Sequence, residues 1–321
     1  MPFNPSDIPY GDAPFYCFPL AEICMYILFV VCIIHAVKQG IRDISYLAGG
    51  VIFGLILEYV NVNANMGYTY GKFMVMLGKA PLDIPLCIGI GWGIIMYSAR
   101  LFTDQFRLPF WGAIAMDALL AINIDLSMDV VAYRLHMWNW NWSGSNLNPF
   151  TADWFGVPFG NFFGWLLVVF FYSSFSRVVE RLFARQQKGV SFLPVLAPLM
   201  SVLLSQAALY VMLVYIDDYL KIKFGITSLH RFAAFTILLS IMAATGWRKR
   251  KPSNLTMPVI SWLVPVWFHI FFFAWLFIAG FYIENRWMTL ASALNVVLGI
   301  IIHVKVMIAK PVSQLQPAET V

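Results

Sequence analysis

Nine stretches of roughly 20 mainly apolar residues recur along this chain, at about 18–37, 44–63, 84–101, 109–131, 157–175, 192–216, 227–246, 258–283 and 288–308. Each is long enough to cross the hydrocarbon core of a bilayer as an α-helix. Backbone in lipid must satisfy its own hydrogen bonds, and runs of this length do so as helices. Only 12% of the residues are charged, about half the roughly 25% of an ordinary soluble domain. The expected fold is therefore an all-α, polytopic membrane bundle of 8–9 transmembrane helices, the lower count applying if the last two stretches divide differently.

Residues 1–17 read as an extramembrane arm, 18–310 as one transmembrane catalytic domain and 311–321 as a cytoplasmic tail. The first sixteen residues carry Asp7 and Asp12, several prolines and no basic residue, so a cleavable signal peptide is not expected. The net charge of +5 belongs to basic residues that flank apolar spans and form no stripe, which argues against nucleic acid as a partner. Cys17, Cys24, Cys32 and Cys87, and five histidines scattered singly, show neither disulfide nor metal spacing. No metal site and no cofactor are expected, and the clustered histidine boxes of a di-iron desaturase are missing.

Charge bias sets orientation. With the N-terminus outside and the C-terminus inside, 14 of the 21 basic residues fall on inner segments, among them Lys38, Arg42, Arg100, Arg107 and the run Arg248-Lys249-Arg250-Lys251. Arg177, Arg181 and Arg185 read as a lipid-facing cytoplasmic helix end. This topology also places Glu58, Asn61 and Asn65 at the outer end of the second span, Asp83 at the outer start of the third, Asp125 and Asp129 at the outer end of the fourth, and Asn161 and Trp165 at the outer start of the fifth. The charge count did not require these polar residues to share one half of the membrane.

Carboxyl groups inside a span are costly unless paired, protonated or facing a wet cavity, and their default reading is functional. At 100° per residue, Asp117, Asp125 and Asp129 occupy one broad helix face, and Glu58, Asn61 and Asn65 share another. Glu58, embedded behind Ile52-Phe53-Gly54-Leu55-Ile56-Leu57, reads either as a snorkelling or paired acid or as a carboxyl withdrawn from water and able to donate a proton. The aspartates read either as interhelical glue or as catalytic acids. Asn123-x-Asp125-x-x-x-Asp129 also loosely fits a magnesium-diphosphate motif, although the only later acidic doublet, Asp217-Asp218, lacks its third acid.

Beside the acids stands the aromatic run Trp138-Asn139-Trp140-Asn141-Trp142. Alternating tryptophans serve as an interfacial belt or as a cation-stabilising wall worth roughly 0.5–2 kcal/mol per ring. Asn161 reads as a water-positioning amide or a helix cap, and Asp83 as a site residue or a cap for the third span. Acids against aromatic rings suit one chemistry: protonation of an alkene and shelter of the carbocation that results.

The chain resembles the carotenoid biosynthesis family that contains the γ-carotene and bisanhydrobacterioruberin hydratases (CruF-type). The resemblance runs over roughly residues 45–175: Glu58 followed by Gly67-Tyr68-Thr69-Tyr70, Ile84-Pro85 with Trp92, Asp117 with Met128-Asp129-Val130-Val131-Ala132 and Trp138-Asn139-Trp140, and Phe155-Gly156-Val157-Pro158-Phe159-Gly160-Asn161-Phe162-Phe163-Gly164-Trp165. The family has a proline after the acid equivalent to Asp129, where this chain has Val130. The resemblance implies addition of water across a terminal C1=C2 isoprenoid bond without a redox cofactor.

On this reading Glu58, Asp117, Asp125, Asp129 and Asn161 are the catalytic candidates. Asn61, Asn65, Tyr68, Tyr70, Asp83, Trp138, Trp140 and Trp165 are the substrate-binding ones. The expected partners are a lipophilic isoprenoid or carotenoid and membrane lipids, and the expected location is a bacterial or archaeal cytoplasmic membrane. Cyclisation by the same acids, a magnesium-dependent prenyl-diphosphate reaction and lipid transport are the alternatives. Transport would call for inverted repeats, and none is visible.

Overall fold

A computed structural model describes residues 13–64, 67–142, 151–185, 193–251 and 257–308. Among them, helices α1 (Cys17–Gln39), α2 (Ile41–Asn63), α3 (Leu86–Gln105), α4 (Phe110–Arg134) and α5 (Phe159–Arg185) are followed by α6 (Leu193–Tyr210), which passes through a π-helical turn (Val211–Ile216) into α7 (Asp217–Phe224). Then come α8 (Ser228–Arg248), α9 (Ile260–Ile278) and α10 (Arg286–Ile308). Counting the α6–α7 rod once, these are nine long helical segments, matching the nine apolar stretches. Eight are long and apolar enough to cross a membrane. The exception is α4, whose polar content is absorbed by its surroundings.

Local chemistry sets the boundaries. Only Gly40 separates α1 from α2, at φ 107°, a conformation that favours glycine. Pro85 and Pro109 precede the first residues of α3 and α4, where a missing N–H costs nothing. Thr227 and His230 form a capping box at the start of α8.

Helix α4 is the hub, packed against α3, α5, α8, α9 and α10. Several polar side chains on it meet partners from these neighbours. Asn123 and Ser127 join His269 of α9 and Asn295 of α10 in a buried hydrogen-bonded cluster, the kind of polar glue used where lipid offers no hydrophobic drive. Asp117 is fully buried and accepts from Thr103 (2.6 Å), Ser173 (2.6 Å) and Arg177 (2.9 Å). Arg177 also pairs with Asp104, and Arg100 grips Glu180 with two 2.6 Å bonds. The expectation of a lipid-facing arginine row is therefore corrected at Arg177, which is only 9% exposed; its partners come from α3 and α4 and are invisible in the local pattern.

Helices α2 and α3 approach closely through small residues. A Cβ on Gly54 would stand 2.6 Å from Trp92 Cβ, and one on Gly50 would stand 3.1 Å from Gly93 Cα. That proximity brings Trp92 alongside Glu58, one turn beyond Gly54. Two short antiparallel ribbons complete the fold at this end of the bundle: β1 (Tyr68–Tyr70) with β4 (Trp138–Trp140), and β2 (Met76–Leu77) with β3 (Ile84–Pro85).

Candidate active site

A cavity of about 210 Å³ lies under the β1–β4 ribbon, at the end of the bundle that carries fewer basic residues, and Glu58, Asn61, Asp129 and Asn161 all line it. The ribbon pairs Tyr68 with Trp140 and Tyr70 with Trp138. Side chains two residues apart share a strand face, so both tyrosines and both tryptophans line the cavity while Thr69 and Asn139 take the other face. The Tyr68 and Trp140 ring centroids are 5.0 Å apart.

Glu58 is 5% exposed and holds three hydrogen bonds. Tyr68 and Tyr70 donate to one carboxylate oxygen at 2.5 and 2.6 Å, and the Trp92 indole donates to the other at 2.7 Å. Asn61 donates its amide to the Tyr68 oxygen at 3.2 Å, which leaves the phenolic proton free to point at Glu58. Burial first, and then the Glu58 carboxylate, hold both phenols well above their ordinary titration range. This carboxyl is arranged as an acceptor, with two donors on one oxygen and one on the other.

The other acids form a pair. Asp125 and Asp129 lie one helical turn apart on α4, and the single Asn161 amide gathers both; two buried carboxyls that share one site favour a proton kept between them. Asp129 fronts the cavity. Asp125 sits behind it, wholly buried, and its Oδ1 meets no protein donor among the described residues. Asn161 donates to Asp129 at 2.6 Å and to Asp125 at 3.2 Å.

Residues 151–158 fix where Asn161 emerges. The Trp154 indole donates to Leu126 O at 3.0 Å, Arg134 donates to Phe155 O at 2.8 Å, and the Trp142 indole donates to Gly156 O at 3.1 Å. Asp153 accepts from the Phe159 amide at 3.0 Å. The capping duty considered for Asn161 thus falls to Asp153, and the Asn161 side chain is left to the acids.

Trp138, Trp140 and Trp165 all border the cavity, and Trp165 packs against Trp92 with centroids 4.0 Å apart. Two candidates lie elsewhere. Asp117 belongs to the Arg177 cluster and does not reach the cavity. Asp83 precedes β3, does not line the cavity and does not cap α3, whose N-cap is Pro85. Asn65 falls outside the described residues.

Sequence reasoning missed the wall formed by Trp267, Phe268 and Phe272 of α9 and by Phe73. It also missed Glu22, a buried acid of α1 that accepts from the Met74 and Val75 backbone amides at 2.5 and 3.0 Å and so ties down the strap leading into β2. The aromatic density of α9 was the available signal, but in a membrane helix it reads first as lipid-facing bulk. Among the described residues no group of three or more His, Cys, Asp or Glu side chains is placed to hold a metal ion.

A family model described as carotenoid biosynthesis protein matches residues 20–231. No curated protein and no solved structure matches the chain. The matched stretch contains Glu58, Asp125, Asp129, Asn161 and the β1–β4 ribbon, while the α9 wall lies beyond it.

Proposed function

We propose that this chain, which belongs to the carotenoid biosynthesis protein family, is a cofactor-independent hydratase of a terminal double bond in a linear isoprenoid or carotenoid hydrocarbon. The observation that carries this reading is a pair of buried carboxyls, Asp125 and Asp129, gathered by the one Asn161 amide, with Asp129 facing an aromatic cavity.

An unactivated alkene is a weak base, and protonating it needs a positioned acid in a site closed to bulk water. The Asp125–Asp129 pair gives its shared proton, through Asp129, to C2 of the terminal C1=C2 bond. Positive charge then develops on the tertiary carbon C1. Trp138, Trp140 and Trp165 present ring faces to that cation, each worth roughly 0.5–2 kcal/mol. Glu58, held as an acceptor by Tyr68, Tyr70 and Trp92, anchors the ribbon over the cavity and is not the proposed acid. A water held by Asn161 adds to C1, and its surplus proton returns to the carboxylate pair. The sum is alkene plus water to tertiary alcohol, with the acid regenerated.

The chiefly aromatic wall also suits a second reading, in which an internal double bond captures the cation and closes a ring. Incubating the reconstituted protein with lycopene in ¹⁸O-labelled water separates the two. Hydration gives a product heavier by one labelled water, and cyclisation gives an isomer of unchanged mass. Turnover only of a diphosphate ester, with strict dependence on magnesium, would overturn both.

A further inference from the structure

The cavity is smaller than the roughly 300–1,000 Å³ that enclose a drug-sized ligand, so it can hold only the reacting end of a long hydrocarbon. The rest of that chain needs a route out, and the walls differ in how well they are closed. On the α1 side Ala21 and Met25 are 1% and 6% exposed, and on the α9 side Phe268 and Phe272 are 3% and 4% exposed, with Trp267 half-buried beside them. Toward the π-helical turn that follows α6 the lining residues Asn61, Gly164 and Leu213 are only half-buried.

The reason lies in the α6–α7 rod. Residues Leu193–Tyr210 pack on α2 and α5, with Gln206 donating to Phe53 O at 3.0 Å, but the π-helical turn that follows has no comparable packing on either helix. Leu213, inside that turn, is the rod's sole contribution to the cavity lining among the described residues. Across from it, a Cβ placed on Gly164 would meet no atom within 4 Å. π-Helical turns interrupt helices at a cost and recur at functional sites. Here the turn gives Leu213 to the cavity that Asp129 fronts, while Val211, Tyr215 and Ile216 of the same turn are exposed apolar side chains.

The geometry points to a lateral window between α2, α5 and the π-helical turn as the binding site for the tail of a linear polyene: the substrate is admitted from the bilayer end first, and its unreacted chain stays in the window during turnover. This rests on the reading of the site as one that takes an isoprenoid hydrocarbon.

Lycopene is achiral and shows visible circular dichroism only when held in a chiral site, so binding can be read without turnover. The purified full chain in detergent is expected to induce such a signal. Leu213→Trp is expected to weaken lycopene binding or slow its uptake tenfold or more. Leu213→Ala, which widens the same point, should bind at least as fast as wild type, and Ile270→Trp, on the exposed side of α9, should match wild type. Far-ultraviolet dichroism and gel filtration establish that each variant is folded. Equal binding by wild type and both Leu213 variants, a loss confined to Ile270→Trp, or no induced signal from wild type would overturn the window. Window-dependent binding without water addition would instead sink the hydratase reading and leave the window standing.

Discussion

The Asn161 side-chain amide lies 2.6 Å from Asp129, joining the first turn of α5 to the C-terminal part of α4. The positive end of the α5 dipole and an amide donor therefore meet at the carboxyl that fronts the cavity, while the second carboxyl, which the same amide reaches at 3.2 Å, does not line the cavity. Within the proposed mechanism this arrangement lets one carboxylate form after proton transfer and the same pair recover its proton from water.

Asp129→Asn keeps the shape of the side chain and removes the transferable proton. Turnover should fall by about 10³-fold or more, within the range lost with a general acid, while the protein remains membrane-inserted with wild-type helicity. Asp125→Asn, acting through its partner, should cost about 10²-fold. Product formation in reconstituted vesicles measures both, and wild-type turnover in Asp129→Asn removes that residue from the chemistry.

For Glu58 the expected loss has a different origin. Glu58→Gln replaces an oxygen that accepts from Tyr68 and Tyr70, or the one that accepts from Trp92, with an amide nitrogen that opposes the donor. At least one buried donor is left unpaired, at a cost of about 1–3 kcal/mol for each. Thermal unfolding should shift down by that amount and turnover should fall. Tyr70→Phe, which leaves two of the three bonds in place, should lose less on both measures. Equal stability of Glu58→Gln and wild type would show that the three bonds do not hold this carboxylate.

Gly54→Ala tests the helix approach that aims Trp92. The added methyl would stand 2.6 to 2.9 Å from three Trp92 atoms, so Trp92 must move away from Glu58. Overpacking of this kind costs about 1–3 kcal/mol, and activity should fall with stability. Gly164→Ala, which enters open space, should leave stability unchanged.

Asp117 separates structural from catalytic acids. Removing one partner of a buried ion pair costs about 3–5 kcal/mol, so Asp117→Ala should lower thermal stability strongly. The fraction that folds should retain the wild-type product and a turnover number within a few-fold of wild type. A stable Asp117→Ala protein without activity would return Asp117 to the chemistry.

Alkaline pH provides a further check on the roof. Tyr68 and Tyr70 are held above the ordinary value of about 10 by burial and by Glu58. A phenol raised in the folded state contributes stability that is fully present below about pH 10 and is lost as pH rises toward the folded value. Stability should therefore fall more steeply above pH 10 in wild type than in the Tyr68→Phe, Tyr70→Phe double variant, as followed by denaturant unfolding across the alkaline range.

Much of the site was legible because polar residues in apolar runs are conspicuous: Glu58, Asp125, Asp129 and Asn161 stand out by chemistry alone, and charge bias brought them to one end. The helical wheel misled at Asp117. It reports angle and not depth, and eight residues separate Asp117 from Asp125, about 12 Å along the axis at 1.5 Å per residue. Arg177 looked lipid-facing because Asp104 and Asp117 reach it from other helices. The pairing of β1 with β4 was not visible either, since two three-residue strands nearly 70 residues apart carry no local signature of their register. Trp267, Phe268 and Phe272 were hidden for a simpler reason: an aromatic side chain in a membrane helix looks the same whether it faces lipid or a cavity.

The most direct measurement is the deuterium content of the product formed from lycopene in D₂O by wild type and by Asp129→Asn under the same conditions. Proton delivery by the aspartate pair predicts an alcohol carrying one deuterium at C2 and hydroxyl at C1 from wild type, and no labelled product from the variant. An alcohol without deuterium at C2, or equal labelling by Asp129→Asn, would contradict it.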